Sequence, residues 1–133
     1  MAKTTRFNEL KKVFDALHGP NGCPWDKKQT HQSLLKYLTE ESREFAVEVR
    51  KKDYEHMKEE LGDILLQVMF HAKIASRDNR FDIEDVIDTL IKKLKRRHPH
   101  VFGKTKVKSV RDVLKNWKKI KALEKMSGKK EAR

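Results

Sequence analysis

The chain has 133 residues, 39% of them charged and 37% hydrophobic, with five glycines, three prolines and one cysteine. This length suits one domain with its own core, and the composition disfavours collagen, turn-rich β-sandwiches and low-complexity disorder. The lone Cys23 excludes an intrachain disulfide and a multi-cysteine zinc site, no apolar run reaches the ~18 residues of a membrane span, and the N-terminus lacks a signal-like apolar stretch, so a cytoplasmic protein is expected.

In chain order, Phe7, Leu10, Val13, Phe14 and Leu17 follow helical spacing and predict a short helix over residues 6–17. His18 to Asp26, the densest run of turn formers, reads as one ordered loop. Thr30 is a candidate N-cap for a long helix that presents Leu34, Leu38, Phe45 and Val49 on one face and ends near Lys52. Asp53 can cap the next helix, in which Met57, Leu61, Ile64, Leu65, Val68 and Ala72 keep helical period until about Arg77.

Asp82 and Asp85 resemble a capping box ahead of a fourth helix carrying Val86, Ile87, Leu90, Ile91 and Leu94. Pro99 disfavours helical geometry at His98, and Gly103 reads as a left-handed or flexible position. Ser109 and Asp112 repeat the cap signature before Val110, Val113, Leu114, Trp117, Ile120 and Leu123. No segment sustains β alternation. The expected fold is all-α, an antiparallel helical bundle around two long central helices, with one domain over residues 1–125 and a basic tail, 126–133, that frays.

The net charge of +12 is unevenly distributed, since residues 1–90 carry 15 Lys/Arg against 17 Asp/Glu and residues 91–133 carry 17 against three. An acidic middle suits a divalent metal and a basic end suits phosphates, so a nucleotide is as plausible a partner as DNA. The acids are ordered: Glu41 and Glu44 form an ExxE on the first long helix, Glu60 and Asp63 an ExxD on the second. Residues three apart are neighbours on a helix, so each pair presents two carboxylates from one face. At 100° per residue, Leu34, Leu38 and Phe45 lie within about 60° of Glu41, and Met57 and Ile64 flank Glu60 in the same way, so the acids point toward the core.

The turn between the helices centres near Lys51 and Lys52, which sets all four carboxylates level if the helices form a hairpin. Two readings of them stand side by side. In one they solvate a groove. In the other they hold a hard cation, Mg²⁺ first with Mn²⁺ as substitute, because four packed carboxylates need either protons or a counter-charge. A di-iron site would need Glu-x-x-His on two helices, and neither pair has it.

The runs CPWDKKQTHQSLLKYLTEESREF, ELGDILLQVMFHAKIA, RFDIEDVI and RRHPHVFG resemble, in order and spacing, the MazG nucleoside triphosphate pyrophosphohydrolases over about Phe7 to Lys121. The resemblance implies an all-α, dimeric or higher-order helical assembly that cleaves a nucleoside triphosphate to the monophosphate and pyrophosphate with Mg²⁺. It implies Glu41, Glu44, Glu60 and Asp63 as metal ligands. Glu40, the first acid of the EExxE, would orient or deprotonate the attacking water. Lys93 and Arg97 match a basic KxxxR, and Trp117 and Lys121 a WxxxK, that would contact phosphate or nucleotide.

Other residues have competing readings. Trp25 is either a platform for the base or a packing residue beside Pro24. His98 and His100 either fix their loop by hydrogen bonds or lie near phosphate, His71 reads as an interface or core histidine, and Cys23 as structural. The competing functional classes are a basic helical nucleic-acid-binding protein and a family member that serves only as an interaction module.

Overall fold

The computed structural model describes residues 5–128. Seven helices and no strand occur among the described residues: α1 (Arg6–Leu17), α2 (Pro24–Lys28), α3 (His31–Lys51), α4 (Tyr54–Arg77), α5 (Ile83–Arg97), α6 (Pro99–Phe102) and α7 (Val110–Met126). They fall into two compact units, one ending at Ile83 and the other beginning at Glu84. Residues 129–133, most of the tail expected to fray, lie outside the described residues.

The first unit is built on the α3–α4 hairpin. Thr30 caps α3 by accepting from the Ser33 backbone N–H, and the Ser33 hydroxyl accepts from the Thr30 N–H, so two of the orphan donors of a helix start are satisfied reciprocally. α3 ends where Lys52 turns left-handed at φ 58°, and Asp53 then accepts from the His56 N–H to start α4. This two-residue turn lays α4, 24 residues and about 36 Å long, antiparallel along α3.

The core closes at the end of the hairpin remote from that turn. Leu34, fully buried, meets Met69, Phe70 and Ile74 of α4 and Phe14 of α1, with Phe7, Leu10, Tyr37 and Ile83 packed around them. Phe14 and Phe70 meet edge to face at 5.4 Å, and the His18 ring stacks on Phe14. Gly22 lets the chain double back on α1, because a Cβ there would lie 2.1 Å from the Leu17 carbonyl oxygen.

The expected ordered loop is interrupted by α2. Pro24 occupies its first turn, where a missing N–H costs nothing, and Asp26 lies at the positive end of the helix, so five residues form a turn of helix inside a turn-rich run. Arg77 donates to the carbonyls of Lys27 and Gln29 and anchors α2 to the end of α4.

In the second unit α5 stops at Arg97, and Pro99 opens the four-residue α6. Gly103 is extended, at φ −134°, rather than left-handed. Its lack of a side chain serves close approach instead, since a Cβ would lie 2.9 Å from the Pro99 carbonyl oxygen. Ser109 caps α7 by accepting from the Asp112 N–H, as the sequence predicts, and the Asp112 carboxylate accepts from the Lys108 N–H.

Candidate metal centre and basic unit

The hairpin brings the predicted acids together. Carboxylate oxygens of Glu41, Glu60 and Asp63 lie within 4.8 Å of one another, and Glu44 is close enough to Glu60 and Glu41 to interact with both. α3 supplies the first pair and α4 the second, and the short Lys52–Asp53 turn sets them level. Burial differs from the sequence expectation: Glu41, Glu60 and Asp63 are half-buried and Glu44 is exposed. The apolar core closes at the far end of the hairpin, so the acids lie outside it, on a partly exposed stretch of the hairpin.

Burial first, then the neighbouring Glu60, Asp63 and Glu44, pushes the Glu41 carboxyl from the ordinary 4.5 up to about 7. Glu44 is raised as well, first by desolvation and then by Glu60. One Oε2 of Glu41 and one of Glu60 are buried without a hydrogen-bond donor. Oxygen-only donors, mutually repelling and short of donors, are the set that a hard divalent cation satisfies.

A second trio, Glu48, Asp53 and His56, also comes within 4.8 Å. Its geometry is that of a helix cap: Asp53 takes the His56 N–H and pairs with His56 Nδ1 at 2.6 Å. Glu40 is exposed and lines a groove of about 580 Å³ with Lys36, Thr39, Arg43 and Glu44. Sequence reasoning passed over Lys36 and Arg43, although their spacing from Glu40, four before and three after, places all three on one helical face. It also passed over Gln67, one turn beyond Asp63, which is 5% exposed with its Oε1 unpartnered.

Trp25 is half exposed and edge-on to both Tyr37 and Phe70, so it packs on the core and keeps a free flank. His71 pairs with His31, Nδ1 to Nδ1 at 2.7 Å with the rings parallel, across α3 and α4. One of the two must be neutral at Nδ1 to accept, and burial together with His31 lowers the His71 pKa. Cys23 is a free, half-buried thiol at the start of α2.

In the second unit, Arg97 donates to Glu124 through Nη2 at 2.9 Å and Nε at 3.4 Å, and Arg96 Nε donates to the same carboxylate. The two guanidiniums hold the Glu124 carboxyl down at about 2. This clasp was not read from the sequence. Its signal was present, because Glu124 is one of only three acids after residue 90 and follows Trp117 and Lys121 at helical spacing. Lys93 is half-buried. Trp117 packs edge-on to His98 with centroids 5.4 Å apart, and its Nε1 is buried without an acceptor. With Lys121, Arg111, Leu114, Lys115 and Lys118 it lines a groove of about 570 Å³. His98 Nδ1 meets the Leu94 carbonyl at 2.6 Å, as the hydrogen-bonding reading of the pair expects, whereas the buried His100 Nδ1 has no hydrogen-bond partner.

An all-α hairpin carrying an ExxE opposite an ExxD, with oxygens of Glu41, Glu60 and Asp63 within reach of one cation and Glu44 beside them, defines a class of acid-lined helical proteins. The MazG nucleotide pyrophosphohydrolase domain matches residues 29–102. The nucleoside triphosphate pyrophosphohydrolase/pyrophosphatase MazG of Thermotoga maritima is 52% identical over 126 residues, covering 95% of this chain and 47% of that protein. The nucleoside triphosphate pyrophosphohydrolase of Escherichia coli is 38% identical over 120 residues, 90% of this chain and 46% of that protein. The crystal structure of a mazG-related protein from Thermotoga maritima superposes with a TM-score of 0.70 at 33% identity, covering 85% of this chain and 96% of that one. This chain belongs to the MazG nucleotide pyrophosphohydrolase family. It spans about half the length, or less, of the curated relatives it matches.

Proposed function

We propose that the chain hydrolyses nucleoside triphosphates, ribo or deoxyribo, between the α and β phosphates to give the monophosphate and pyrophosphate. The observation that carries this is the convergence of Glu41, Glu60 and Asp63 oxygens within 4.8 Å, with buried donorless oxygens on Glu41 and Glu60. Family membership supports the same reaction. Glu41, Glu44, Glu60 and Asp63 would hold Mg²⁺, with Mn²⁺ as a substitute; such a cation, when bound, supplies charge neutralisation on phosphate oxygens and a lowered pKa for its water.

Glu40, exposed beside Glu41 and Glu44, orients the attacking water and takes its proton. A bond forms from the water oxygen to the α-phosphorus as the bond to the bridging oxygen breaks, and pyrophosphate leaves with that oxygen. Lys93 and Arg97 neutralise phosphate charge, Trp117 and Lys121 contact the nucleotide, and the free flank of Trp25 stacks on the base. The role is nucleotide-pool house-cleaning in the cytoplasm. No helix among the described residues is long and apolar enough to cross a membrane.

The hairpin leaves Leu35, Val49, Leu61, Leu65 and Val68 each at least 38% exposed, and this apolar exposure supports a homodimer or higher oligomer in which a second copy would cover them. Phosphorus NMR of the protein with a panel of NTPs and dNTPs, with Mg²⁺ and again with EDTA, tests the reaction. Metal-dependent monophosphate and pyrophosphate are the expected products. Orthophosphate with a diphosphate would move the attack to the γ-phosphorus and overturn the assignment, and no turnover would favour the nucleic-acid-binding or interaction-module reading of the basic second unit.

A further inference from the structure

Glu124 is 6% exposed on a helix otherwise crowded with lysines. A tie between α5 and α7 needs one arginine, and Arg96 already provides it through Nε. Arg97 adds a second, side-on engagement through Nε and Nη2. A guanidinium has five N–H donors in one plane, so this use of two leaves both donors of Nη1 and one of Nη2 unspent. The Arg97 side chain stays 23% exposed beyond the carboxylate. The two arginines and one carboxylate keep a net positive charge, so the clasp orients Arg97 without cancelling its attraction for an anion.

We infer that Glu124 is a positioning residue for phosphate recognition: it fixes the plane of the Arg97 guanidinium so that the Nη1 edge is presented to phosphate oxygens. The inference rests on the proposed role of Arg97 as a phosphate contact. Without Glu124, two adjacent guanidiniums lose their common partner and repel, and Arg97 samples several rotamers, which a phosphate must then order on binding.

The test is a double-mutant cycle on the full chain, reading inorganic pyrophosphate affinity by calorimetry and, in parallel, KM and kcat for NTP hydrolysis. Glu124→Gln is expected to weaken pyrophosphate binding and raise KM about tenfold with kcat within about twofold. It adds nothing further in an Arg97→Lys background. Arg96→Lys, which touches only the tie, leaves pyrophosphate affinity within about twofold of wild type.

Equal losses from Glu124→Gln in the wild-type and Arg97→Lys backgrounds, or a lower Tm with unchanged affinity, would overturn the inference and make Glu124 a helix tie alone. Should Glu124→Gln not fold, Glu124→Asp carries the cycle, with the charge kept and the reach shortened. Coupled pyrophosphate binding in a protein that yields no monophosphate would sink the proposed reaction and leave the positioning role standing; turnover without coupling would do the reverse. A wild type that does not bind pyrophosphate would overturn the inference too.

Discussion

Glu41 of α3 and Glu60 of α4 oppose each other across the hairpin with a buried, donorless oxygen on each, and the strongest influences on the Glu41 carboxyl are burial and Glu60 itself. Ionised together, they destabilise the hairpin that brings them together. A proton or a cation relieves that repulsion, and this gives the site a signature in stability.

The pH dependence follows with a definite sign. Glu41 titrates near 7 in the folded chain and near 4.5 when unfolded, so between these values the folded state holds a proton that the unfolded state releases. Its stabilising contribution is complete below pH 4.5 and is lost as pH rises through about 7. The Tm of metal-free Glu41→Gln should equal that of wild type well below pH 4.5 and exceed it by about 3–5 °C above pH 7, solvent screening of the half-buried carboxyl limiting the effect to roughly 1 kcal/mol. Added Mg²⁺ should raise the wild-type Tm at pH 7.5 more than that of the variant. Differential scanning fluorimetry with EDTA and with Mg²⁺ measures both, and a Tm difference that shrinks with rising pH contradicts the assignment.

Activity should separate the acids by role. Glu41→Gln and Asp63→Asn are expected to lower kcat/KM by more than about 100-fold with helicity intact by circular dichroism. Glu40→Gln should lower kcat by about 10²–10³ while leaving Mg²⁺ affinity unchanged, as suits a group that handles the proton of the water. Substantial turnover by Asp63→Asn would count against the assigned centre.

Leu34 is the fully buried residue that joins α3 to α1 and α4. Leu34→Ala should cost about 2–5 kcal/mol in urea unfolding, through lost transfer energy and the cavity left behind. A cost under about 1 kcal/mol would mean that the core does not close there.

Leu61 and Leu65, 50% and 42% exposed on α4, lie on the face proposed to pair with a second copy. Leu65→Glu should shift the protein toward monomer in sedimentation velocity, by placing a charge in a desolvated interface. An unchanged sedimentation coefficient would move the contact to another face.

The sequence by itself determined most of the helices and their ends. Thr30, Asp53 and Ser109 are legible as caps because capping is local chemistry between residues three apart, and the apolar period marks the faces of α3 and α4. The acid pairs were legible for the same reason: i, i+3 spacing puts two carboxylates on one face, and symmetry about a short turn sets the two pairs level. Local signals also misled, since the turn formers of His18–Asp26 hid α2, and of the two expectations for Gly103, left-handed or flexible, the left-handed one fails because the residue is extended and spares a clash with the Pro99 carbonyl.

Tertiary structure alone decided which atoms meet. That the core closes at the end of the hairpin remote from the turn, leaving the acids only half-buried, depends on where α1 packs, which no local period encodes. That Arg97 is held by Glu124, 27 residues away, depends on how α5 and α7 pack. Helix caps and periods act over one turn of chain, whereas burial and charge pairing depend on distances that exist only once the chain has folded.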